Sequence, residues 1–237
     1  MTASSEASQA SARLAAVRAR IAQAAQRAGR DASSVALLAV GKLQSVAALR
    51  ELHLAGQRAF GENYVQEAVG KIAALGDLTD IQWHFIGPLQ ANKTREVARH
   101  LHWLHSLDRL KIAERLSAQR PPEMPPLEVC VQVNISGEAS KSGCAPEAAL
   151  ALARAVHALP RLRLRGFMGM PEPGIGAEAT RAQYAALAAL MQAAQRELPG
   201  LDTLSMGMSD DLEIAIACGS TMVRVGTALF GPRPAAG

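Results

Sequence analysis

The chain has 237 residues, 49% hydrophobic and 19% charged, with 25 Lys and Arg against 21 Asp and Glu. That balance excludes a disordered chain and allows a real core, while the small, dispersed positive surplus is not the basic stripe of a nucleic-acid binder. Aromatics are only 3%, so an aliphatic, helix-rich core is expected.

The first segment is rich in Ala, Ser and Arg, which suits a transit peptide or an ordinary amphipathic helix. Leu14, Val17, Ile21, Ala24 and Ala25 recur at helical spacing and Gly29 follows as a stop, so a helix over about 8–28 is predicted. Beyond it, short apolar runs of strand character appear at Val35–Gly41, Arg58–Gly61, Ile81–Ile86, Leu101–Ser106, Leu127–Asn134, Leu162–Met168, Thr203–Met206 and Met222–Val225. Helical stretches separate them: Val46–Leu54, Val65–Leu75, Asn92–Arg99, Arg109–Ala118, Glu147–Leu159, Ala177–Leu198 and Asp210–Cys218. Strands alternating with helices indicate a parallel sheet, and runs apolar at every position, such as Val35–Val40, suit strands covered on both faces. Pro121 to Pro126 reads as a stiff connector, not a boundary. About eight strands closes a (β/α)8 TIM barrel over about 35–231, giving a single domain over 1–237 with an extra N-terminal helix. The competing open doubly wound sheet needs a GxGxxG fingerprint after its first strand, where this chain has Gly41-Lys42-Leu43-Gln44.

Barrel chemistry collects at the carboxyl ends of the strands. Those ends offer Lys42, Glu62, Asn63, Gly87, Ser106, Asn134, Met168, Ser209, Arg224, Gly226 and Thr227. Lys42 follows six apolar residues and a glycine; such an amine is either partly dehydrated, and so able to attack an aldehyde, or it snorkels outward. In Ser205 to Asp211, Ser209 suits an N-cap and Asp210 and Glu213 have capping-box spacing, which makes either an anion site or an ordinary capped helix. Arg224 and Gly226 share a strand parity and can face the barrel axis, with the Thr227 hydroxyl beside them; a surface ion pair is the plain alternative for Arg224. An arginine facing a pyridine nitrogen would keep that nitrogen unprotonated and the ring a weak electron sink. An amine, an arginine and anion-suited groups together match a ligand with an aldehyde, a pyridine nitrogen and a phosphate, which is pyridoxal 5′-phosphate.

From the first helix to Arg233 the chain resembles the pyridoxal phosphate homeostasis (PLP-binding) family, which shares the barrel of the alanine racemase amino-terminal domain. The resemblance rests on Leu37 to Lys42, Phe60-Gly61-Glu62-Asn63-Tyr64-Val65-Gln66-Glu67, Trp83 to Lys93, Val133 to Ser136, Ser140 to Gly143, Gly166 to Met170, Leu204 to Asp211 and Gly219 to Gly231. It implies that Lys42 holds the cofactor as a Schiff base and that Arg224 faces its pyridine nitrogen. It further implies phosphate contacts from Ser209, Gly226 and Thr227, with Asn63 near the ring and Met206 lining the pocket. The family usually reads Ala-Val-Ser-Lys-Thr-Lys-Pro at the lysine; here Gly41 stands for the serine and Leu43-Gln44-Ser45 for Thr-Lys-Pro, so a second lysine at the mouth is missing.

Two readings follow: a protein that buffers pyridoxal phosphate or delivers it to apo-enzymes, and a racemase-like enzyme. Racemisation by two bases needs a second acid/base group. Alanine racemase draws that group from an additional carboxyl-terminal domain, which this chain, ending at Gly237, is expected to lack. Tyr64 and Tyr184 are its only tyrosines, so the carrier is favoured and no catalytic residue is assigned. A barrel for other phosphates, without Schiff-base chemistry, is the remote third reading.

His100, His102 and His105 read as a polar strand edge, without the further partners of a metal site. Ser136 to Gly143 has glycines and Lys141 but not the order of a P-loop; Lys141 is a loop lysine at the mouth, either solvated or a secondary amine. Cys130, Cys144 and Cys218 form no CxxC pair, which argues against disulfides and thiolate zinc and fits a cytoplasmic protein. No apolar run approaches the ~18 residues of a membrane span, and a monomer is expected.

Overall fold

Ala10, Leu14, Val17, Ile21, Ala24 and Ala25 are buried along one face of the first helix, α1 (Ala3–Arg27), the outcome their spacing requires. A computed structural model describes residues 3–138 and 142–231. After α1 the order is β1 (Ala36–Val40), α2 (Val46–Leu54), β2 (Ala59–Glu62), α3 (Val65–Ala74), β3 (Gln82–Phe85), α4 (Thr94–His100), β4 (Trp103–Leu107) and α5 (Leu110–Gln119). It continues with β5 (Leu127–Val133), α6 (Pro146–His157), β6 (Leu162–Gly169), α7 (Ala177–Gln195), β7 (Thr203–Ser205), α8 (Leu212–Ala217), β8 (Met222–Val225) and α9 (Thr227–Phe230). The eight strands close in sequence order into a parallel barrel, β1 pairing with both β2 and β8. This is the (β/α)8 TIM barrel the alternation predicts.

Register decides which side chains enter the barrel. Leu38 lies opposite Arg224, Val40 opposite Gly61, Gly61 opposite His84, and Met168 opposite Ser205, so these residues share the inner face. Leu37, Ala39, Phe60, Val223 and Val225 have the other parity and pack toward the helices. That outer layer is apolar and mostly aliphatic, with Phe60, Trp83, Phe85 and Phe167 as aromatic exceptions to what the composition suggests. The barrel interior is not: His84, His105, Ser205 and Arg224 are all buried there, and Trp103, Cys130 and Met168 form a separate small apolar cluster. Composition cannot see this difference, because it reports only totals.

Local departures have local causes. The predicted strand at Leu101–Ser106 begins at Trp103, because α4 runs through His100; His100 therefore does not share a strand face with His102 and instead sits opposite Glu96, one helical turn back. The predicted Ser209 N-cap is overtaken by Asp211, which stands at the N-cap of a shorter α8. Its carboxylate accepts the Met208 N–H at 2.6 Å and the Tyr184 hydroxyl at 2.8 Å, so residues 208–211 form a turn. The segment from Pro121 joins α5 to β5 within the barrel. Among the described residues no helix is long and apolar enough to cross a membrane.

Candidate functional site

At the carboxyl ends of the strands lies a cavity of about 490 Å3 lined by Val40, Lys42, Asn63, Ile86, Pro88, Gln132, Ser142, Met170, Met208, Ser209, Asp210, Arg224, Gly226 and Thr227. It falls within the ~300–1,000 Å3 usual for a small-molecule site. Six of the seven residues singled out in the sequence, Lys42, Asn63, Ser209, Arg224, Gly226 and Thr227, meet on its wall. Met206 does not: it is wholly buried in the core, its carbonyl accepting the Ser220 hydroxyl at 2.6 Å, and Met208, two residues on, supplies the methionine at the wall. Gln132, Ser142, Met170, Met208 and Asp210 also line an adjoining lobe that reaches Asn134, Glu172 and Asp211. Lys141 lies outside the described residues.

Each wall residue is set by its element. Lys42 is the second residue of a turn after β1, closed by the Gln44 N–H donating to the Gly41 carbonyl at 2.9 Å. Ser45 then caps α2, its hydroxyl accepting the Ala48 N–H at 3.2 Å. Asn63 follows β2 where the segment after β3 comes unusually close: a Cβ on Gly87 would stand 2.1 Å from the Asn63 carbonyl oxygen, so only glycine permits this approach. The Ser106 hydroxyl fixes Gly87 by donating to its carbonyl at 2.6 Å. Asn63 Oδ1 is buried and has no hydrogen-bond partner among the described residues, an acceptor left available to a ligand.

Arg224 is buried at the barrel axis. Its Nη1 donates to the Ser205 carbonyl at 2.5 Å and hydroxyl at 2.8 Å, and its Nη2 to the Gly169 carbonyl at 3.1 Å. A guanidinium has five N–H donors, so these bonds hold the plane and leave donors for a ligand. Behind it the Ser205 hydroxyl meets His105 Nδ1 at 2.8 Å, and His105 Nε2 meets His84 Nδ1 at 2.9 Å. Desolvation, reinforced by the Arg224 charge, pushes His105 down to about 3, and desolvation holds His84 well below the ordinary histidine range. Both rings are therefore neutral, and Arg224 is the charged member of this buried hydrogen-bonded chain.

The opposite wall suits an anion. Gly226 precedes α9, whose first N–H groups have no side-chain cap, and the Thr227 and Ser209 hydroxyls line the same cavity. Arg20 of α1 steadies this side, donating to the Ser209 carbonyl at 2.8 Å while pairing with Glu213 at 2.6 Å. Tyr64 is 57% exposed and Tyr184 is buried against Asp211; neither lines the cavity. Among the described residues no three His, Cys, Asp or Glu side chains are grouped to hold a metal ion.

Sequence reasoning missed His84, Ser205 and the buried Lys71, which bonds to Glu62 and Glu67. The inner parity of His84 and Ser205 was readable strand by strand and Lys71 lies on α3, but their partners come from other parts of the chain.

These residues fit pyridoxal phosphate chemically: an amine for an aldehyde, an orphaned amide oxygen, a fixed cation, and hydroxyls beside uncapped N–H groups for a phosphate. The model of the family "Alanine racemase, N-terminal domain" matches residues 12–234. The chain is 62% identical over 220 residues to the pyridoxal phosphate homeostasis protein of Pseudomonas aeruginosa, covering 93% of this chain and 94% of that one. It is 53% identical over 226 residues to the protein of the same name from Escherichia coli, covering 93% and 95%. Among solved structures it is similar to PipY of Synechococcus elongatus with PLP bound, at a TM-score of 0.82 and 38% identity over 94% of this chain and 100% of that one.

Proposed function

Because the chain belongs to the alanine racemase N-terminal-domain family, and within it to the pyridoxal phosphate homeostasis proteins, we propose that it is a non-enzymatic, single-domain protein that binds pyridoxal 5′-phosphate and serves its intracellular homeostasis. Lys42 is the amine that holds the aldehyde as a Schiff base, and Arg224 faces the pyridine nitrogen. Ser209, Gly226 and Thr227 take the phosphate and Asn63 borders the ring, while Met206 supports the pocket from the core. The cofactor, when bound, supplies a reactive aldehyde and an electron-withdrawing ring. The observation that carries this reading is the convergence of Lys42, Arg224 and the uncapped Gly226–Thr227 turn on one cavity.

The chain's own groups favour holding over turnover. Arg224 stays protonated and only donates, so it gives no proton to a ring nitrogen. No tyrosine faces Lys42 across the cavity among the described residues, and a racemase needs a second acid/base group there. The protein accordingly buffers the cofactor or passes it to apo-enzymes, as a monomer in the cytoplasm; its three cysteines are all free, as a reducing compartment requires.

Borohydride reduction of the protein loaded with pyridoxal phosphate, followed by peptide mass spectrometry, is expected to place the adduct on Lys42 among the five lysines, and Lys42→Ala is expected to be colourless. An adduct on another lysine overturns the assignment. Fast hydrogen–deuterium exchange at the α-carbon of amino acids, with loss of stereochemistry and abolished in Lys42→Ala, would overturn the carrier role in favour of the racemase-like enzyme.

A further inference from the structure

Behind the cavity wall, between β1, β2 and α3, lies a group of charges that the binding chemistry above does not use. Glu62 is wholly buried and Lys71 is 5% exposed. Lys71 Nζ donates to the Gly41 carbonyl at 2.6 Å, to Glu62 Oε1 at 2.9 Å and to Glu67 Oε1 at 2.7 Å, which engages all three donors of an ammonium. Glu67 Oε1 in turn accepts the Leu43 N–H at 2.6 Å. The Gly41 carbonyl and the Leu43 N–H belong to the two peptide units that flank Lys42, so the group grips the lysine's backbone from both sides.

The gripped backbone is strained. Leu43 has φ 61°, a left-handed conformation that is unfavourable for a non-glycine residue and persists only where the surroundings impose it. Gly41 belongs to the same arrangement, since a Cβ there would stand 2.6 Å from Glu62 Oε1. The cluster is also expensive as a mere ion pair. Two carboxyl groups surround one ammonium, Glu62 Oε2 has no hydrogen-bond partner among the described residues, and desolvation pushes Glu62 up to about 7 despite Lys71. A buried arrangement of this kind adds little net stability over an apolar one, so its cost points to a task.

We propose that Lys71, Glu62 and Glu67 are positioning residues: they hold the strained turn over residues 41–44 and thereby set the direction in which Lys42 enters the cavity. The proposal rests on Lys42 being the amine that takes the aldehyde.

Two readouts test it. Ligand-free protein is treated with trace acetic anhydride, and acetylation of Lys42 is read by mass spectrometry against Lys93 and Lys111 of the same molecules. Capture of pyridoxal phosphate is followed separately by stopped-flow absorbance. Glu67→Ala releases the Leu43 N–H but leaves Lys71 paired with Glu62. It is expected to slow capture about tenfold and to change the Lys42 labelling ratio about threefold, misplacement of a reacting group being costly in rate. Glu67→Gln keeps a carbonyl oxygen for the Leu43 N–H and is expected to capture within about threefold of wild type. If Glu67→Ala does not fold, Glu67→Asp, one methylene shorter, carries the same expectation in lesser degree. Wild-type capture and labelling in Glu67→Ala, or a Gln variant as slow as the Ala variant, overturns the proposal. A borohydride adduct on a lysine other than Lys42 in wild type would instead sink the functional reading, while the labelling ratio still reports the positioning.

Discussion

Arg224 shows how much of the site's behaviour sits in one side chain and its neighbours. Buried at the axis, its guanidinium is pushed below its ordinary value by desolvation but remains a cation, because arginine starts far above neutrality, the Asp211 charge opposes the shift, and the Ser205 hydroxyl and two carbonyls accept its N–H groups. An arginine so placed opposes any proton on a ring nitrogen in front of it. Arg224→Glu reverses that field, and the visible absorption of the bound cofactor is expected to shift while Lys42 still captures the aldehyde. An unchanged spectrum in that variant removes Arg224 from the nitrogen. The candidate wall was legible in the sequence at this scale because a strand end is a strand end whatever the tertiary details: the eleven strand-end residues include all six that line the cavity, which their chemistry and the family resemblance then singled out. Met206 came from the family resemblance alone, and it lies wholly buried just past the end of β7 at Ser205. The support behind Arg224 and Lys42 was not legible, since it links residues as far apart as His105 and Ser205 or Gly41 and Lys71.

Among the elements, α1 does more than cover the barrel with Leu14, Val17 and Ile21. It packs across α2, α8 and α9, and its polar face reaches the anion side of the cavity. Arg13 Nε donates to the Leu229 carbonyl at 2.7 Å, at the end of α9, and Arg20 bonds the Ser209 carbonyl and Glu213. The extra helix thus ties down both segments proposed to take the phosphate. Arg20→Ala is expected to weaken pyridoxal phosphate binding by about fivefold, a partly exposed ion pair being worth little but the carbonyl bond more. Binding of pyridoxal, which lacks the phosphate, is expected to change less than twofold. Equal losses for the two ligands, read by equilibrium titration, would mean that α1 acts on the barrel as a whole. The amphipathic stripe made α1 readable, and alternating strands and helices made the barrel readable. α9, a single turn at Thr227–Phe230, has no period long enough to be recognised, and α8 is short because Asp211, not Ser209, begins it.

The whole molecule carries two sets of buried titratable groups with opposite demands on pH. His84 and His105 stay neutral in the native barrel, whereas the unfolded chain protonates them below about 6.5. Their contribution is therefore present above that pH and is lost as pH falls through it. Glu62 runs the other way. Burial raises it to about 7, so between the ordinary carboxyl range and that value the native state keeps a proton that the unfolded chain gives up. Its contribution is present at low pH and is lost as pH rises through about 7. Each group changes the slope of stability by up to about 1.4 kcal/mol per pH unit where its two states differ by a full proton. Between pH 5 and 6.5 the two histidines outweigh the single glutamate, so stability rises toward neutrality, but less steeply than the histidines alone dictate. Glu62→Gln removes the opposing slope and keeps an oxygen for Lys71. Urea unfolding free energies of that variant are expected to climb more steeply with pH than those of the wild type over this range, by up to about 1.4 kcal/mol per unit. Parallel profiles would mean that Glu62 holds no proton in the native state, and that the Lys71 cluster behind Lys42 is fully charged at neutral pH.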